Sequence, residues 1–225
     1  MSIEKNLNSI KSELPANVTL VAISKTHAPE IVMQAYDNGH RLFGENRVQE
    51  LVSKYEVLPK DIQWHLVGHL QRNKVKYIAP FISLIQSVDS LRLLKEINKH
   101  ARKNDRVIDC LLQIYIADED TKYGLSNEEA IEVLESDAFA EMKNVRVIGL
   151  MGMATFTDNT EQVRLEFRKL KKLFVQVKQK YFTDCSYFNT LSMGMSGDYE
   201  IAIDEGATLV RIGSNIFGGR PYCAK

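Results

Sequence analysis

Short apolar runs alternate with longer amphipathic ones along the whole chain. Residues 18–24 (VTLVAIS) are short, apolar and β-branched, which marks a buried strand. Over residues 29–38 the apolar positions Ile31, Val32, Ala35 and Tyr36 share one helical face, and Gly39 suits the helix end. The same reading predicts further strands at 41–44, 62–67, 81–87, 107–116, 145–151, 186–191 and 208–212. Helices are predicted between them at 45–55, 71–78, 90–103, 127–134, 160–181 and 197–205, and a short one opens at Ser214. Residues 1–14 are amphipathic and add one helix in front.

Strict alternation of strand and helix implies parallel strands joined by crossover helices. Eight such units close a barrel, and 225 residues suit that closure. An open doubly wound sheet is the competing architecture, but it expects a glycine-rich turn after its first strand. Here that turn is Lys25-Thr26-His27-Ala28-Pro29, without glycine. The expectation is therefore α/β, a single (β/α)8 barrel domain over residues 1–225 with an extra N-terminal helix.

Composition narrows the function. The chain is 44% hydrophobic, enough for a sizeable core, which excludes wholesale disorder. Lys+Arg and Asp+Glu balance at 29 each, which argues against a nucleic-acid partner. No apolar run is long enough for a membrane span, and the N-terminus lacks the apolar core of a secretory signal. Cys110, Cys185 and Cys223 are odd in number and form no CxxC pair, so a reducing cytoplasm is expected. The neutral balance and single-domain length suit a monomer.

In a barrel, function sits at the C-terminal strand ends. Lys25 follows the first strand directly. Desolvation there favours the neutral amine, which can form a Schiff base with an aldehyde or ketone. The plain alternative is a lysine that snorkels to the rim. The eighth strand ends Val210-Arg211-Ile212-Gly213-Ser214, where glycine and serine open a helix whose N–H groups attract phosphate. The seventh leads into Ser192-Met193-Gly194-Met195-Ser196-Gly197, read as a loop of small residues and hydroxyls that also suits phosphate. Both could be ordinary turns, but barrels bind phosphate after strands seven and eight. His65 and His69 lie four apart across a strand end without a third ligand, a poor zinc site. Cys110 reads as packing and Cys223 as tail, residues 118–120 as a wet acidic loop, and Lys122 as a further candidate for the mouth. A Schiff-base lysine beside a phosphate site suggests pyridoxal 5′-phosphate or a class I aldolase acting on a phosphorylated sugar.

Five motifs go further: Val21-Ala22-Ile23-Ser24-Lys25-Thr26, Phe43-Gly44-Glu45-Asn46-Arg47-Val48-Gln49-Glu50, residues 64–74 (WHLVGHLQRNK), Ser192-Met193-Gly194-Met195-Ser196-Gly197-Asp198 and Val210-Arg211-Ile212-Gly213. In this order, and over essentially the whole chain, they resemble the pyridoxal phosphate homeostasis proteins. The resemblance implies a TIM-like barrel similar to the N-terminal domain of alanine racemase. It implies pyridoxal 5′-phosphate as cofactor, held as a Schiff base on Lys25, with Arg211 at the pyridine nitrogen. Ser196, Gly213 and Ser214 would bind the phosphate, and Asn46 would line the cofactor. The implied role is handling of intracellular vitamin B6, with other B6 vitamers and PLP-dependent apo-enzymes as candidate partners. Arg72, Asn215 and Gly219 depart from the family's usual residues, and Asn215 touches the expected phosphate loop.

An arginine at the ring nitrogen cannot accept its proton and disfavours a second positive charge beside it. The ring then makes a weak electron sink. The chain also ends soon after its last barrel unit, where alanine racemase carries a second domain with a catalytic tyrosine. The expectation is a carrier or regulator without robust turnover and without catalytic residues or a metal. A racemase-like enzyme and the phosphosugar aldolase are the alternatives.

Overall fold

A computed structural model describes residues 2–117 and 123–219. Its strands close one parallel barrel in sequence order. They are β1 (Thr19–Ile23), β2 (Leu42–Glu45), β3 (Gln63–Leu66), β4 (Leu84–Val88), β5 (Ile108–Tyr115), β6 (Val145–Met153), β7 (Thr190–Met195) and β8 (Leu209–Ile212). β1 pairs with both β2 and β8, so no edge is left open. The helices are α1 (Ile3–Glu13), α2 (Pro29–Asp37), α3 (Val48–Val57), α4 (Val75–Ile78), α5 (Leu91–Lys103), α6 (Asn127–Glu135), α7 (Asp137–Ala140), α8 (Thr160–Tyr181), α9 (Tyr199–Asp204) and α10 (Ser214–Phe217).

The eight-unit barrel and its leading helix are as the alternation predicts, while several boundaries differ: β4 begins at Leu84 rather than residue 81, and α4 at Val75 rather than residue 71. β7 lies four residues later than expected, so Ser192 and Gly194 are strand and Ser196 is the first residue beyond it. The second barrel helix starts at Val48 rather than residue 45, because Glu45 closes β2. The short α7, capped by Ser136, has no counterpart in the sequence reading.

Each strand splits its side chains between two cores. Leu20 and Ala22 face the large core between barrel and helices, whereas Val21 and Ile23 face the barrel interior. Leu84, Leu111, Met151 and Leu209 join Val21 there, an apolar plug. Burying each such side chain contributes roughly 2 kcal/mol. Above the plug the inward positions turn polar: His65, Gln86, Gln113, Ser192 and Arg211 are all buried. Alternation along β1 and β8 thus carries the chain from an apolar floor to Lys25 and Arg211 at the mouth. No helix among the described residues is long and apolar enough to cross a membrane.

Candidate functional site

A cavity of about 610 Å³ opens at the C-terminal mouth of the barrel. Lys25, Asn46, Ser196, Arg211, Gly213 and Ser214 all line it. They come from the ends of β1, β2, β7 and β8, so the closed barrel brings together positions up to 189 apart in sequence.

Lys25 is half-buried, two residues past β1. Its flanks are tied to a charged cluster. Ser24 Oγ donates to Glu45 Oε1 at 2.6 Å, and Lys54 Nζ donates to Ser24 O at 2.8 Å. On the other side the Thr26 N–H donates to Glu50 Oε1 at 2.6 Å. Lys54 Nζ joins the halves, 2.6 Å from Glu45 Oε1 and 2.7 Å from Glu50 Oε1. Burial raises the Glu45 carboxyl above its ordinary value, against the opposing pull of Lys54 and Ser24. Thr26 has φ +68°, a left-handed conformation that a β-branched residue adopts only at a cost. Asn46 leaves β2 beneath the next turn: a Cβ on Gly68 would stand 2.3 Å from Asn46 O, so only glycine permits that approach.

Arg211 is held from behind by neutral groups. It donates to Ser192 Oγ at 2.5 Å and to Gly152 O at 3.0 Å. Ser192 Oγ donates to Gln86 Oε1 at 2.7 Å, and the Gln86 amide nitrogen lies 3.0 Å from His65 Nδ1. The chain therefore runs one way, from guanidinium to hydroxyl to amide to imidazole. His65 Nδ1 must accept, which leaves its proton on Nε2. Burial holds His65 down at about 4, so it stays neutral at physiological pH. Burial also lowers Arg211 to about 10, with Asp198 opposing.

The loops after β7 and β8 meet at the remaining wall. Ser196 Oγ accepts from the Gly213 N–H at 3.1 Å, and Asn215 Nδ2 donates to Ser196 O at 3.1 Å. The unusual Asn215 thus ties the two loops together. Gly213 caps α10 without a side-chain hydrogen bond, so the first N–H groups of that turn face no intrahelical acceptor. Asp198 Oδ1 accepts from the Met195 N–H and fixes the end of β7. Gly197 lines the cavity, and a Cβ there would touch no protein atom; glycine at this point preserves space rather than relieving a clash.

An amine, an arginine, paired hydroxyls and unspent backbone N–H groups around 610 Å³ form a donor set that matches a phosphorylated aromatic aldehyde. Other sequence candidates do not join it. His69 is exposed and 3.2 Å from Asp89. No group of three His, Cys, Asp or Glu among the described residues could hold a metal. Cys110 is buried packing. Lys122, the acidic run 118–120 and Cys223 lie outside the described residues. Sequence reasoning gave no role to His27 and Asp198 on the wall or to Lys54 and Gln86 behind it, and it read Ser192 as phosphate loop, whereas Ser192 lies in β7 behind Arg211. Only the i,i+4 spacing of Glu50 and Lys54 hinted at any of these.

Comparison with known proteins identifies the family. The alanine racemase N-terminal domain family matches residues 1–221. A pyridoxal phosphate homeostasis protein of Aquifex aeolicus is 44% identical over 204 residues, covering 90% of this chain and 87% of that protein. PipY of Synechococcus elongatus, solved without PLP, superposes with a TM-score of 0.89 at 33% identity, over 96% of this chain and all of that one. The same protein with PLP bound gives 0.85 at 32% identity, again over 96% of this chain and all of that one. The chain therefore belongs to the pyridoxal phosphate homeostasis proteins, within the alanine racemase N-terminal domain family.

Proposed function

We propose that this protein binds pyridoxal 5′-phosphate through Lys25 and carries or regulates intracellular vitamin B6 without robust catalytic turnover. The observation that carries the reading is the convergence of Lys25, Asn46, Ser196, Arg211, Gly213 and Ser214 on one cavity. The PLP-bound form of PipY, alike over nearly the whole chain, supports the same ligand here.

Bound pyridoxal 5′-phosphate supplies an aldehyde that a lysine amine captures reversibly as a Schiff base, with loss of water. Lys25 Nζ is that amine. Ser196 Oγ, the Ser214 hydroxyl and the N–H groups at the start of α10 receive the phosphate. Asn46 would border the ring, and Arg211 would face its nitrogen. A guanidinium offers donors only, so it would leave the ring nitrogen unprotonated and withhold the charge that drives carbanion chemistry. Phe156 lines the mouth beside Thr155 and Thr157. The protein acts in the cytoplasm as a monomer, with other B6 vitamers and PLP-dependent apo-enzymes as its further partners.

The test pairs binding with turnover. Titration of the wild-type protein with pyridoxal 5′-phosphate should give a yellow complex, and Lys25→Ala should not. In heavy water the complex should leave the α-protons of added amino acids unexchanged. Rapid exchange would make it a racemase-like enzyme. A protein that ignores the vitamer but traps a phosphosugar carbonyl under borohydride would be an aldolase.

A further inference from the structure

Lys54 is 2% exposed and Glu45 fully buried, although both are ionisable. Burying such a pair costs desolvation that its mutual attraction does little more than offset, so stability alone is a weak reason for it. Its bonds go to particular places. Lys54 Nζ holds Ser24 O, the peptide before Lys25; Glu50 Oε1 holds Thr26 N–H, the peptide after it. Glu45 Oε1 holds the Ser24 hydroxyl. Thr26 is kept at φ +68°, which threonine does not adopt unless its surroundings impose it.

We infer that Glu50 and Lys54 are positioning residues for Lys25: the buried cluster locks the backbone on both sides of it and so aims its amine into the cavity. This rests on the proposed capture of the cofactor at Lys25. The cluster touches the flanking peptides rather than the phosphate loops, which belong to β7 and β8. It should therefore govern the covalent link and leave phosphate recognition alone. Misplacing an amine that must attack a carbonyl is costly even when the shift is small.

Two ligands separate these effects. Pyridoxal 5′-phosphate has the aldehyde; pyridoxine 5′-phosphate carries an alcohol in its place and binds only by ring and phosphate. Glu50→Leu removes the acceptor of the Thr26 N–H while Lys54 keeps Glu45, and Glu50 is 23% exposed, so the fold should persist by circular dichroism. Thr26→Gly, which releases the imposed conformation, is the second variant. The full-length variants should bind pyridoxal 5′-phosphate about tenfold more weakly, with less borohydride-stable adduct on Lys25. Their affinity for pyridoxine 5′-phosphate should match wild type. Unchanged affinity for both ligands, or equal loss for both, would overturn the positioning role while the wild-type adduct stands. No adduct on Lys25 in the wild type would overturn the binding reading first, and this role with it.

Discussion

Lys25 is flanked by a charged cluster, whereas every group hydrogen-bonded to Arg211 is neutral. On the β1 side, Glu45, Lys54 and Glu50 grip the peptides around the lysine. On the β8 side, Ser192, Gln86 and His65 pass a single line of hydrogen bonds back from the guanidinium. The two devices suit what they hold. A flexible lysine tip needs its backbone fixed, and strong charge-assisted bonds can hold a strained turn. An arginine needs its plane fixed, and a directed neutral chain does that with no carboxylate bonded to the guanidinium, Asp198 acting on it only through space.

The largest effect should come from breaking the charged side. Lys54→Met strands the buried Glu45 beside Glu50 and should cost about 3–5 kcal/mol, read as a fall in Tm of roughly 10 °C. A loss below about 1 kcal/mol would place the cluster among weakly coupled surface pairs.

Acid should attack the neutral side next. His65 is held at about 4 when folded, below its ordinary value of about 6.5. Its contribution is therefore complete above pH 6.5 and falls as pH drops toward 4, by about 3 kcal/mol. His40, also lowered to about 4 by burial, acts in the same sense. Urea unfolding against pH, repeated with His65→Asn, isolates the His65 share. Glu45 carries the opposite sign: its folded value is raised, so its contribution is complete below the ordinary carboxylate value and is lost as pH rises above it. The two contributions thus change in opposite directions across the same interval, roughly pH 4 to 7, and partly offset each other.

Gln86→Leu cuts the neutral chain in its middle and leaves Ser192 and His65 without their partner. It should cost about 1–3 kcal/mol by urea midpoint and loosen Arg211. Smallest is Thr26→Gly, which removes the left-handed strain but adds backbone freedom. Its stability should stay within about 1 kcal/mol of wild type, even though ligand capture falls.

The barrel was legible because its outer helices and strands carry the right periods: the predicted helix 160–181 is α8 to the residue. β7 was misplaced because its inward positions are polar. Ser192 and Gly194 look like loop residues, yet Ser192 faces a buried glutamine inside the barrel. The site residues at strand ends could be located by topology and by the family resemblance. The supports behind them could not. Lys54 on a helix, nine residues beyond Glu45, reads as a wet lysine until the barrel folds it over Ser24. Gln86 and Ser192 are 106 positions apart, a contact that no local pattern encodes.

The most direct measurement is borohydride reduction of the full-length protein with one equivalent of pyridoxal 5′-phosphate, followed by peptide mass mapping. The account predicts one phosphopyridoxyl group per chain, on Lys25. Adduct spread over surface lysines, or none at all, would contradict it.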